Sequence, residues 1–124
     1  MANPLTIKRV YEPPAKNDGT RILVDRLWPR GIAKDKARID LWLKDIAPSD
    51  GLRKRFHATP ENWDEFRDAY AIELKATAAQ AAAKLLRDYL RRGPVTLLYA
   101  AKDATRNNAF ALKLWLLHRR RGPN

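Results

Sequence analysis

The chain has 124 residues, enough to bury a core as one domain without help from a metal or a disulfide. With 45% apolar and 31% charged residues it has a globular balance, which argues against a disordered chain. The absence of cysteine excludes a disulfide framework, a thiolate nucleophile and any cysteine-based zinc site.

The net charge of +11 asks for an anionic partner, or else reflects a basic surface that serves solubility. Residues 1–60 hold 13 basic and 7 acidic side chains, residues 61–92 hold 6 of each, and residues 93–124 hold 6 basic and 1 acidic. The positive excess therefore falls on both ends of the chain and spares its middle. Nothing near Met1 resembles the apolar core of a secretory signal, and no apolar run approaches the ~18 residues that cross a bilayer. A cytoplasmic protein without a membrane partner is expected.

In chain order, Ile7 to Tyr11 reads as a short strand, followed by Glu12-Pro13-Pro14 and a polar loop closing at Asp18-Gly19. That loop is short for a parallel crossover, so the pair it joins is expected to be antiparallel or non-adjacent. Arg21 to Asp25 is the second strand. A helix is expected from Lys34 to Ala47, with Ile39, Trp42, Leu43 and Ile46 on its inward stripe and Pro48 as its stop. Ser49 can cap a short helix that buries Leu52 and Phe56, and Thr59 with Pro60 starts a longer one carrying Trp63, Phe66, Tyr70 and Leu74. An alanine-rich helix follows from Ala78 to Arg92, stopped by Gly93-Pro94.

Val95 to Ala101 is a third strand, apolar enough to be buried on both faces. Thr105 can cap a last helix whose Phe110, Leu112, Leu114, Trp115, Leu116 and Leu117 are apolar almost all round. Such a helix lies across the sheet in the core or meets a partner subunit, which makes a homo-oligomer one reading. His118 opens a basic tail, residues 118–124, expected to be disordered. The fold class is α/β: a single domain over residues 1–124, a small helix-rich, Rossmann-like sandwich. Its short central sheet has about three strands, with a parallel pair joined by a crossover through the middle helices.

Chemistry is expected where strands end. If the second and third strands are parallel neighbours, Asp25, Arg26 and Arg30 face Lys102, Asp103, Arg106 and Asn107 across one crevice. Arginines and a lysine beside carboxylates suit a phosphate or carboxylate held in fixed orientation, and the N-terminus of the last helix adds backbone donors. Arg26, Arg30, Lys102 and Asn107 are the candidate ligand-binding residues, and Asp25 and Asp103 the candidate acid and base. The competing reading pairs these charges with each other, as in an Asp25–Arg30 or Lys102–Asp103 network. Trp28 is read as half-buried packing, and Trp42, Trp63 and Tyr70 as core.

His57 closes a short helix and His118 sits in the tail, so no transition-metal centre is expected; magnesium on carboxylates stays open. The five glycines form no GxGxxG or Walker pattern, no GxSxG elbow is present, and no cofactor is named by any motif. Three readings follow: a phosphorylated or other anionic ligand held at the strand exits, with or without turnover; a nucleic-acid-associated protein without catalysis; and a structural or regulatory homo-oligomer.

The run Lys8 to Pro13, Asp18-Gly19, the block Arg21-Ile-Leu-Val-Asp-Arg-Leu-Trp-Pro-Arg-Gly31, Asp40 to Lys44, Ala47 to Ser49, Phe56-His57, and Gly93 to Asp103 with Asn107 resemble the YeaO-like branch of the DUF-488 family of uncharacterised bacterial proteins. The resemblance covers nearly the whole chain and implies a small single-domain α/β protein of the cytoplasm, with no established substrate. The family pattern often has a histidine and an aspartate where this chain has Ala58 and Thr59, and tends to histidine where it has Arg106 and Asn108. Any chemistry those histidines perform in relatives is then absent here, which weakens an acid–base role for His57.

Overall fold

The computed structural model describes residues 3–120, with side chains through His118. Its centre is a run that is apolar on both faces. Ile22, Leu23 and Val24, and all of Val95 to Tyr99, are buried, the signature of strands covered on both sides. Strands β1 (Leu5–Arg9), β2 (Thr20–Leu23), β3 (Leu41–Trp42) and β4 (Val95–Tyr99) form one sheet in the order β1-β4-β2-β3, and every pair is parallel. The parallel pair expected at the centre is β2 beside β4, with Ile22 opposite Leu97. β1 and β2 are non-adjacent, as the short loop between them requires; both flank β4. The sheet has four strands rather than about three.

The extra strand corrects the sequence reading. Helix α1 spans only Lys34–Ala37 and stops at Arg38, whose φ of 50° is left-handed. The chain then lines up with the open edge of β2: the Asp40 and Leu43 amides donate to the Arg21 and Leu23 carbonyls at 2.8 and 2.9 Å. A bare edge leaves a row of backbone groups unpaired, and satisfying them outweighs the local helical spacing. The four apolar residues read as one helical stripe are divided between the two sides of the sheet, with Leu41, Trp42 and Leu43 alternating as a strand does. Ile39 and Trp42 go to one side of the sheet, Leu43 and Ile46 to the other.

The remaining helices, α2 (Asp50–Ala58), α3 (Trp63–Glu73), α4 (Thr77–Arg92) and α5 (Asn108–Arg120), share one cluster with Ile22, Val24, Leu97 and Tyr99. In α4 the stripe Ala79, Ala82, Ala83, Leu86 and Leu90 is buried at helical spacing. Phe66 and Tyr70 on α3, with Leu74 at its end, make the next stripe, and the Tyr70 hydroxyl donates to the Ile46 carbonyl at 2.5 Å. α3 starts at Trp63, not at Pro60, because the Thr59 amide still closes α2 on the Arg55 carbonyl. α5 packs on β1 and β4 through Ala109, Leu112 and Leu116. Its Leu114, Trp115 and Leu117 line a cleft of about 490 Å³ against α3. α5 carries the chain through Arg120, past the expected start of the tail, and residues 121–124 lie outside those described.

The opposite face is covered by loops. Leu23, Leu98 and Val10 pack there under Trp28, Ile32, Ile39 and Trp42. Beside them the return loop from β1 is pinned by Asp18, whose carboxylate meets Arg21 Nη1 at 2.5 Å and Lys8 Nζ at 3.2 Å. Thr96 Oγ1 donates to the Asp18 carbonyl. Gly19 (φ +67°) passes so close to β4 that a Cβ there would lie 2.1 Å from the Pro94 carbonyl oxygen. Only glycine fits that approach.

Candidate functional site

The parallel register puts the carboxyl ends of β1, β2 and β4 at one edge of the sheet, and the first turn of α5 meets them there. Asp25 lies two residues beyond the end of β2. Its Oδ2 accepts from the Ala100 amide and its Oδ1 from Asn108 Nδ2, both at 2.9 Å, while its carbonyl accepts from Trp42 Nε1 at 2.7 Å. One carboxylate thus ties the exits of β2 and β4 to α5. Burial pushes the Asp25 carboxyl above the usual range, against the opposing pull of Asn108, the Ala100 amide and the Arg53 charge. Nearby, burial also raises the Tyr70 phenol, and the Asp25 and Glu73 charges raise it further. Glu73 takes the Ser49 amide and hydroxyl at 2.8 and 2.6 Å, and Ser49 in turn caps α2 on the Leu52 amide.

Asp103 serves its own loop. Its Oδ1 accepts from the Thr105 amide, the Thr105 hydroxyl and the Arg106 amide, at 2.9, 3.0 and 2.9 Å. The Arg106 amide, followed by the Thr105 donors, holds this carboxyl below the usual range. Asn107, not Thr105, caps α5: its Oδ1 accepts from the Phe110 amide at 2.8 Å, and its Nδ2 donates to the Asp103 carbonyl. It is 1% exposed, with both polar atoms on the backbone. Arg26 is likewise turned inward, to the Pro48 and Ala47 carbonyls at 3.1 Å each.

Arg30 and Lys102 behave differently. Both are exposed, and neither side chain has a hydrogen-bond or ion-pair partner among the described residues. Neither an Asp25–Arg30 nor a Lys102–Asp103 ion pair forms among them. Trp28 is half-buried packing, its ring centroid 5.4 Å from that of Trp42 in an edge-to-face arrangement and its Nε1 donating to the Ile32 carbonyl. His57 lies exposed near the end of α2, and His118 is exposed on α5.

Two residues at this edge escaped the sequence reading. Arg9, the last residue of β1, donates its Nε to the Ala100 and Ala101 carbonyls at 3.2 and 3.0 Å, and its guanidinium lies 4.6 Å from the Tyr11 ring centroid. The Tyr11 hydroxyl donates to the Arg30 carbonyl at 2.9 Å, so β1's exit also fixes the loop after β2. The available signal was the alternation of β1, which sends Arg9 to the same face as Leu5 and Ile7; the adjacency of β1 and β4 was not available.

The chain is 48% identical over 109 residues to the uncharacterized protein YeaO of Escherichia coli (strain K12), spanning 88% of this chain and 93% of that one. It is 44% identical over 106 residues to the uncharacterized proteins Mb3100c of Mycobacterium bovis and Rv3073c of Mycobacterium tuberculosis (strain H37Rv), spanning 86% of this chain and 87% of each. No solved structure matches it. Residues 4–122 match the family model described as the inactive DUF488-N3 subclade, and with these YeaO-like relatives the chain belongs to the DUF488 family.

Proposed function

We propose that this protein binds a phosphorylated or similarly anionic ligand at the carboxyl ends of its strands and does not turn it over. The observation that carries this reading is the state of the charges there. Arg30 and Lys102 project into solvent without partners among the described residues, while Asp25 and Asp103 are engaged by backbone and amide donors. Arg9 joins them as a fixed cation. Its Nε is held by two carbonyls, and among the described residues its terminal nitrogens have no hydrogen-bond partner. A guanidinium immobilised in this way loses little freedom when it meets a phosphate.

Binding without turnover accords with the inactive description of the matched subclade. Asp25 and Asp103 then shape the site rather than move protons, and Arg26 and Asn107 act as its framework. A thermal-shift titration with inorganic phosphate, nucleoside monophosphates and simple carboxylates tests this. A ligand at 100 times its Kd adds about 2.7 kcal/mol of stability. The shift should be lost in Arg30→Ala and Lys102→Ala; a shift that survives in both variants places the anion elsewhere.

A further inference from the structure

We infer that the anion held at the strand exits is the backbone of a single-stranded nucleic acid, with a base stacked on Tyr11; this rests on the anion-binding reading above. Three segments contribute cations: the exit of β1 (Arg9), the loop after β2 (Arg30) and the loop after β4 (Lys102 and Arg106). Arg30, Lys102 and Arg106 are exposed, which suits a string of phosphates better than one enclosed group. The carboxylates beside them are occupied. Glu12 accepts the Arg9 amide at 2.8 Å, and Asp103 accepts the Thr105 and Arg106 amides. Among the described residues neither Arg30, Lys102 nor Arg106 forms an ion pair, on a chain whose net charge is +11.

The ring supplies the second half of the argument. Tyr11 is 43% exposed, sits between Arg9 and Arg30, and is fixed by its own hydroxyl on the Arg30 carbonyl. Cation–ring pairs also occur at Trp42, 4.2 Å from Lys44 Nζ, and at Trp28, 6.0 Å from Lys34 Nζ. Those two rings are half-buried and pack on each other, whereas Tyr11 is the exposed aromatic side chain among the described residues. Stacking needs an unpaired base face, which a single strand offers and a duplex withholds.

The test is fluorescence anisotropy with a short labelled single-stranded oligonucleotide of mixed sequence, alongside the phosphate and nucleotide titrations. Tyr11→Leu should weaken oligonucleotide binding at least about fivefold, while Tyr11→Phe, which keeps the ring, stays within about twofold. Removing one contacting cation should lower the slope of log affinity against log salt by about 0.7. Equal binding by the protein and Tyr11→Leu, with an unchanged thermal midpoint, overturns the stacking role. Phosphate or nucleotide binding without oligonucleotide binding overturns the nucleic-acid inference and leaves the anion site standing. No binding by any of these probes overturns both.

Discussion

Asn108 reaches across from the first turn of α5 to Asp25 at the exit of β2, donating Nδ2 to the Asp25 carboxylate at 2.9 Å and to the Val24 carbonyl at 3.0 Å. With the Ala100 amide on the other carboxylate oxygen, this contact sets how α5 sits on the sheet edge. Replacing Asn108 by Ala leaves two partly buried acceptors short of a donor, a loss of about 1–3 kcal/mol. The effect is expected to depend on pH. Burial raises the Asp25 carboxyl above the ordinary 3.8, so its favourable contribution is present below that value and is lost as pH rises through the raised one. Asn108 supports the ionised form, so urea unfolding should show a larger deficit for Asn108→Ala at pH 7 than at pH 4; a deficit that grows toward acid pH would contradict this.

Loss of the Asp18 ion pairs should account for much of the destabilisation at low pH. Burial works to raise this carboxyl, but the Ala15 amide, the Arg21 guanidinium and the Lys8 ammonium together hold it below 3.8. Its contribution is therefore present above 3.8 and is lost as pH falls through the lowered value. Asp18→Ala leaves Arg21, 4% exposed, without its countercharge and should cost about 3 kcal/mol or more at neutral pH. The urea midpoint of the variant should fall less steeply than that of the parent below pH 4.

Gly19→Ala should destabilise by more than about 1 kcal/mol, since φ is +67° and the added methyl meets the backbone oxygen of Pro94. The same carbonyl accepts the Thr20 amide at 3.0 Å, so moving it away also weakens the pairing of β2 with β4. A thermal midpoint equal to that of the parent would show that the approach is looser than described.

Two arginines only four positions apart should separate stability from binding. Arg30→Ala is expected to change stability by no more than about 0.5 kcal/mol, as for other exposed side chains, and to abolish the anion-dependent shift. Arg26→Ala removes the donor from two partly buried carbonyls at the start of α2 and should cost about 1–3 kcal/mol. Its residual effect on anion binding should be small once both proteins are measured well below their midpoints.

Tyr70→Phe removes the hydroxyl that satisfies the Ile46 carbonyl in the core. Leaving that acceptor bare should cost about 1–3 kcal/mol in denaturant unfolding.

The sheet edge at which the candidate residues lie could be read from the sequence. Strands apolar on both faces announce a parallel centre, so Asp25, Arg26, Arg30, Lys102 and Asp103, which follow such runs directly, had to gather at one edge once β2 paired with β4. The roles of these residues could not be read in the same way. Arg26 and Asn107 carry the same functional groups as a ligand-binding pair, yet they donate to the Pro48, Ala47 and Asp103 carbonyls because those carbonyls come within reach only in the folded chain.

The sequence by itself determined the α/β class, the central parallel pair, the buried stripe of α3, and the concentration of charge at the two ends of the chain. These follow from periodicity and composition, which act over a few neighbouring residues. Tertiary structure alone decided three things: β3 in place of a helix, Arg9 and Tyr11 beside the exits of β2 and β4, and which charges remain free. Each depends on partners distant in the chain, such as Arg9 with Ala101 or Asp18 with Thr96. An unpaired strand edge or a buried carboxylate selects those partners only when the fold has closed around it.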